Sequence, residues 1–282
     1  MSYSIDAEGL LQGPDVSHQL TDKHSGSFAN NLPDTLLMHY TAGSTLAGAV
    51  SHLSRPAVKA SAHLVLGRDG DIVQLVPFTK KAWHAGKSHY QQRTGLNQYS
   101  IGIEMVNAGP LKKTASRFVS AFGKHYPEDE VVLATHRNEQ QARYWQVYSE
   151  PQIACAMAIC EVLIEHYGIH TLLGHEEVSP GRKTDPGPAF PLDQIRQQLL
   201  SDRAADDPDE PESLVPLRPQ QGRDARVMAS QLNIRQSASL YARPVRPPLI
   251  SGQSVTVLAE KNGWCKVQVT ETGWVKKEYL SG

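Results

Sequence analysis

Two hydrophobic periods divide the first 200 residues into strands and helices. Asp34 to Thr41 and Ser61 to Val76 predict strands, the second folded back on itself at the hairpin signal Arg68-Asp69-Gly70-Asp71. Ser100 to Asn107 predicts another, because Ile101, Ile103 and Met105 alternate with small or polar residues. Ser149 to Tyr167 has the helical period instead: Ile153, Met157, Cys160, Leu163 or Ile164, and Tyr167 form one apolar stripe. Ser149 can cap that helix, Gln152 completes a capping-box pattern, and Gly168 ends it. A last helix is expected over Leu192 to Leu200. Strands interspersed with helices imply an α/β domain, a mixed sheet flanked by helices.

Beyond Leu200 the pattern changes. From Ser201 to Gly222, Asp202, Asp206, Asp207, Asp209, Glu210 and Glu212 alternate with prolines, which predicts a stiffened and self-repelling linker. Short β-rich runs follow at Leu232–Arg235, Ser254–Leu258, Trp264–Val269 and Gly273–Val275, the pattern of a small all-β barrel. Charge follows the same division. Residues 1–200 carry 17 basic and 19 acidic groups, 201–222 carry 2 and 6, and 223–282 carry 9 and 4. The last segment is therefore about +5 by that count, inside a chain of net charge -1. The expected plan is an N-terminal arm over 1–31, the α/β domain over 32–200, the linker over 201–222 and the barrel over 223–282.

At 282 residues the chain is too long for one small module, and 40% hydrophobic against 20% charged residues is enough for a sizeable core. The near balance of charge argues against a general nucleic-acid coat, which needs clustered cations. Three cysteines make no disulfide framework, since Cys155 and Cys160 sit five apart in one helix and Cys265 lies far away. No run of about 18 apolar residues predicts a transmembrane helix. The N-terminus lacks the basic and apolar regions of a secretory signal.

Candidate chemistry lies in the first 200 residues. Zinc hydrolases need about three imidazole or carboxylate ligands and one open position. His39 ends a strand, His175 follows Leu-Leu-Gly after a second, and Asp185 lies ten residues further on, before Pro186. Six blocks stand together with these residues. They are Met38-His39-Tyr40-Thr41-Ala42-Gly43, Ala62-His63 before Gly67-Arg68-Asp69-Gly70, Trp83-His84-Ala85-Gly86, Ile101-Gly102-Ile103-Glu104, Leu173-Gly174-His175-Glu176 and Lys183-Thr184-Asp185-Pro186-Gly187. In this order they resemble the zinc-dependent N-acetylmuramoyl-L-alanine amidases of the type 2 family, which share a fold with peptidoglycan recognition proteins. The resemblance covers about Leu32 to Leu200. It implies one zinc per chain on His39, His175 and Asp185, Glu104 as the catalytic carboxylate, and Lys183 as a cation beside the metal. The C-terminal runs, with Leu232-Asn-Ile-Arg235, Asn262-Gly-Trp-Cys-Lys-Val267 and Gly273-Trp-Val275 before Tyr279-Leu280, resemble a bacterial SH3-like domain of the kind that tethers enzymes to cell walls.

The remaining candidates are less sharply defined. Ala62 stands where phage-lysozyme relatives carry a catalytic tyrosine, so His63 is assigned to support or substrate contact. Trp83 and His84 are expected in the substrate groove, Arg182 can meet a peptide carboxylate, and Asn107 can hydrogen-bond substrate or end its strand. The segment Pro110 to Tyr148 is either groove wall or a surface insertion packed through its aromatics, and Trp264 and Trp274 are either barrel core or ligand contacts. The implied activity is cleavage of the amide between N-acetylmuramic acid and L-alanine in peptidoglycan, at the cell wall or periplasm. The alternatives are a non-catalytic peptidoglycan-binding protein and a cytosolic amidase recycling anhydro-muropeptides. Oligomeric state is left open.

Overall fold

The computed structural model describes residues 3–115, 117–200, 223–227, 231–232, 234, 245–246, 249–250, 252–261 and 264–269. The chain divides into two compact units, Met1–Pro208 and Asp209–Gly282.

The first unit is built on a six-stranded mixed sheet. From one edge to the other its strands are Thr171–Gly174, Thr35–Tyr40, Ser100–Met105, Leu64–Leu66, Ile72–Gln74 and Val16–His18. The first four run parallel, and Ile72–Gln74 turns back antiparallel through the expected hairpin, closed by a Gly67 N–H to Asp71 carbonyl bond of 2.8 Å. The edge strand Val16–His18 comes from the N-terminal arm, which is thus part of the sheet. Tyr3 and Leu11 are the arm's buried anchors, whereas Ile5 and Leu10 are only half-buried.

Side-chain alternation sorts the central strands into two faces. Leu36, Met38, Ile101 and Ile103, on one face, are buried. On the other, Leu37 and Leu173 pack with Ala85, Leu96 and Val178, and His39 and Glu104 follow at the strand ends. The helix Glu150–Tyr167 is capped by Ser149 Oγ, which accepts from the Gln152 N–H, and stops at Gly168 with φ 66°. The capping box itself is not made. Gln152 turns inward and its Nε2 donates to the carbonyls of Leu66 and Val106, both at 3.1 Å. The buried stripe runs through Gln152, Cys155, Ala156, Met157, Ile159, Cys160, Leu163 and Ile164, so the expected Met157, Cys160, Leu163 and Ile164 are buried while Ile153 and Tyr167 are half-buried at its margin. The helix Leu192–Leu200 forms as expected.

Residues 110–146 fold as a five-stranded antiparallel sheet in the order His125–Tyr126, Arg117–Val119, Pro110–Thr114, Ala142–Gln146, Val131–Thr135. Ala108, Leu111, Phe118 and Tyr126 form its small core. In the second unit, Arg223–Arg226, Ser254–Lys261 and Trp264–Gln268 form one antiparallel sheet, Gln231–Leu232 pairs with Leu249–Ile250, and Val227, Leu249 and Val255 are its described core. The expected linker 201–222, the run Gly273–Val275, and the side chains of Trp264 and Trp274 lie outside the described residues.

Candidate metal centre and active site

Parallel strands bring the chemistry together because their carboxyl ends share one edge of the sheet. His39 and Glu104 are direct neighbours in register on adjacent strands and point to the same face. Gly174 pairs with Met38, so His175, the next residue, starts the short helix His175–Val178 beside His39. The loop that follows returns Asp185 to the same point.

His39 Nδ1 lies 3.0 Å from His175 Nδ1 and 2.9 Å from Asp185 Oδ2, and His175 Nδ1 lies 2.9 Å from that same oxygen. All three residues are buried. The protons on the far sides of the two rings decide what this triangle can hold. His175 Nε2 donates to the Ala85 carbonyl at 3.1 Å, which leaves Nδ1 as a lone pair. His84 Nε2 donates to the Ser100 carbonyl at 3.1 Å, so His84 Nδ1 must accept from His39 Nε2, 3.0 Å away. His39 Nδ1 is then also a lone pair. Burial keeps both rings neutral, lowering His39 to about 4 and His84 well below the usual imidazole range, with neighbouring imidazoles adding to the effect. Two lone pairs and a carboxylate oxygen meeting without a donor repel one another, and a cation relieves that. Edges of about 3 Å are close to the ~3.3 Å that zinc–nitrogen bonds of about 2.05 Å give in a tetrahedron. The donor set therefore fits zinc.

Glu104 stands beside this triangle with its Oε2 buried and without a hydrogen-bond partner. Burial raises its carboxyl well above the usual range, Asp185 adds to the rise, and Lys183 opposes it. Lys183 is half-buried and close enough to act electrostatically on both Glu104 and His39.

The other sequence candidates divide. His84, expected in the groove, is buried behind His39, and its ring occupies the space a side chain at Gly102 would need, a Cβ there lying 2.3 Å from His84 Cγ. His63 has no exposed surface, since Nε2 donates to the Lys80 carbonyl and Nδ1 accepts from the Gly102 N–H at 2.9 Å. Both ring nitrogens are thus engaged by the backbone of the sheet. Asn107 is equally enclosed, donating to the carbonyls of Gln146 and Val147 and accepting from the Gly109 N–H, so it fastens the second sheet to the first. Trp83 is half-buried with Nε1 donating to Ser25 Oγ on the arm. Arg182 is exposed, and one of its nitrogens holds the Ala85 and Lys87 carbonyls, bracing the Trp83–Gly86 turn. Sequence reasoning missed Asn97, whose Oδ1 accepts from the His84 and Ala85 N–H groups, and it gave no role to His136 or Glu176. Periodicity carries no signal for such long-range polar contacts.

A mixed α/β sheet whose parallel strand ends carry a buried two-histidine, one-aspartate centre beside a free carboxylate defines a metal-dependent hydrolase class. A family model described as N-acetylmuramoyl-L-alanine amidase matches residues 29–188, and one described as a bacterial SH3 domain matches residues 230–281. The chain belongs to the N-acetylmuramoyl-L-alanine amidase family and carries a bacterial SH3 domain after it. It is 34% identical over 141 residues to the 1,6-anhydro-N-acetylmuramyl-L-alanine amidase AmpD of Escherichia coli, a stretch covering 49% of this chain and 58% of that protein's length. It is 28% identical over 260 residues to the N-acetylmuramoyl-L-alanine amidase AmiD of Escherichia coli, covering 84% and 83%. A solved complex of that AmiD with anhydro-N-acetylmuramic acid-L-Ala-D-gamma-Glu-L-Lys matches with 26% identity and a TM-score of 0.46, over 70% of this chain and 65% of that one.

Proposed function

We propose that this chain hydrolyses the amide between the lactyl group of N-acetylmuramic acid and the L-alanine of a stem peptide. The observation that carries the reading is the convergence of three acceptor atoms, His39 Nδ1, His175 Nδ1 and Asp185 Oδ2, beside the unpartnered Glu104 Oε2. When bound there, one zinc ion would supply Lewis acidity and lower the pKa of water toward neutrality. The protein's own groups do the rest. Glu104 takes the proton of the attacking water on its buried, unpartnered Oε2, where burial raises the carboxylate's proton affinity, and passes it to the departing alanine nitrogen. Lys183 provides fixed positive charge for the oxygen that becomes negative as the carbonyl is attacked. His84 and the Ala85 carbonyl hold the two imidazoles in the tautomers that present Nδ1.

The substrate class comes from the relatives, whose names specify muramyl–alanine amides. The SH3 module favours peptidoglycan at the cell wall or periplasm over a soluble recycling fragment, since a soluble fragment needs no tether. No helix among the described residues is long and apolar enough to cross a membrane.

Digestion of purified peptidoglycan tests the reading. Free L-alanine amino termini without new reducing sugars are expected, and chelation should stop their release until zinc is restored. Glu104→Gln should keep the metal and lose most turnover, on the order of 100-fold or more. His39→Ala should lose the metal itself. New reducing ends, or metal-free activity, would refute the proposal, and faster cleavage of 1,6-anhydro fragments than of intact walls would move the substrate to the recycling class.

A further inference from the structure

The antiparallel sheet of residues 110–146 leads to one residue, Glu176, on which the geometry of the metal loop converges. Glu176 follows the ligand His175 and is 3% exposed, yet it carries a carboxylate. Every polar group it has is engaged. Its backbone N–H donates to the Asp185 carbonyl at 2.8 Å, and its Oε2 accepts from the Gly187 N–H at 2.9 Å, so it grips the loop on both sides of Pro186. The same Oε2 accepts from His136 Nε2 at 2.8 Å, and Oε1 pairs with Arg137 Nε at 3.1 Å. Its carbonyl accepts from Asn138 Nδ2 at 2.9 Å. His136, Arg137 and Asn138 are consecutive and lie directly after the strand Val131–Thr135. His136 Nδ1 accepts from the Asn138 N–H, which places its proton on Nε2, toward Glu176. The ring stacks on Trp145 at 5.7 Å, and Trp145 in turn closes over Gly187, where a Cβ would meet its ring at 2.9 Å.

We infer that the 110–146 sheet is a brace for the metal centre, and that Glu176, held by His136 and Arg137, is the positioning residue that sets Asp185 at ligand distance from His39 and His175. The inference rests on the ligand reading given above. Its physical content is that an aspartate on a loop is a precise ligand only if the loop has one conformation. Here the loop's Gly187 N–H donates to the Glu176 carboxylate and its Asp185 carbonyl accepts from the Glu176 backbone N–H, while the insertion fixes that carboxylate from the other side. The surface-insertion reading of residues 110–148 leaves this arrangement without a role. A buried carboxylate taking three donor contacts from two segments is expensive to build for packing alone.

The test measures zinc affinity of the full chain by competition with a chromogenic chelator, together with the thermal midpoint of the zinc-free protein. Glu176→Gln, which supplies one acceptor and two unwanted donors, should weaken zinc roughly 10- to 100-fold, the usual effect of losing an outer partner of a ligand. His136→Ala should act in the same direction, and His136→Gln, which restores an N–H near the Nε2 position, should recover part of the loss. The cobalt-substituted protein should show a changed ligand-field spectrum in Glu176→Gln, because the carboxylate ligand is displaced. Unchanged zinc affinity and spectrum in a folded Glu176→Gln chain would overturn the brace and leave Glu176 structural. If Glu176→Gln does not fold, His136→Ala and its Gln partner decide the matter by the same two readouts. Asp185→Ala separates this failure from failure of the ligand reading: wild-type zinc affinity in that variant would remove Asp185 from the ligand set altogether.

Discussion

Gly102 and the two histidines it touches show how narrowly single residues set this centre. His63 bonds to the Gly102 N–H and His84 fills the space above its Cα, so the strand between them admits no side chain. Gly102→Ala is expected to force His84 off its bond to His39, costing about 1–3 kcal/mol of stability as overpacking and lowering zinc affinity in the same preparation. Chemical denaturation and a chelator competition read the two effects separately. His63 also sets a pH dependence. Burial lowers its folded pKa to about 4 from the ordinary 6.5, and it stays neutral by accepting from Gly102. A histidine with a depressed folded pKa binds protons more readily when unfolded, so its stabilising contribution is present above pH 6.5 and is lost as pH falls toward 4. The full effect is on the order of 3 kcal/mol for such a shift. The urea midpoint of the full chain should therefore fall between pH 6.5 and 4.5, and less steeply in His63→Gln. Parallel pH profiles would contradict this account.

At the scale of elements, the helix Glu150–Tyr167 keeps its expected cap, stop and central apolar positions, and departs from expectation in its first turn, where Gln152 points inward. Ser149 caps it and is also bonded to the Arg68 carbonyl, tying the helix start to the hairpin turn. Ser149→Ala should cost about 1 kcal/mol, read as a lowered thermal midpoint without change in metal content. The inward turn of Gln152 has a specific cause. The Leu66 carbonyl already accepts from the Val106 N–H at 2.8 Å, and the Gln152 amide bonds to it and to the Val106 carbonyl, so one side chain ties together the ends of the strands Leu64–Leu66 and Ser100–Met105. A capping-box pattern cannot disclose this, since the competing acceptors lie 86 and 46 residues away in the chain.

For the whole molecule, we propose that the SH3 domain tethers and that the amidase domain cuts, a division suggested by the proline-rich acidic segment and the +5 charge that follows it. A chain ending near Leu200 should cleave soluble muropeptides about as well as the full chain. It should sediment less with intact walls, by a margin that shrinks as salt is added. Loss of soluble-fragment cleavage by a folded truncated domain would assign the SH3 domain to the groove instead. Sequence alone determined the strands ending at His39 and Glu104, the helix caps, the change to β-rich runs after residue 222, and the set of residues that meet at the centre. The elements follow from local periodicity, and the residues of the centre from the resemblance of six short motifs to the amidase family, since their spacing alone is a weak signal. What only the tertiary structure decided is the direction in which each polar side chain works. His63, His84 and Asn107 have the composition of a substrate groove, yet buried N–H and carbonyl groups of distant strands claim them first, because an unmet backbone group costs more than an unmade substrate contact. Glu176 is the converse: an ordinary helix-start glutamate in sequence, it becomes the junction of two sheets through partners 40 and 11 residues away, which no local pattern encodes.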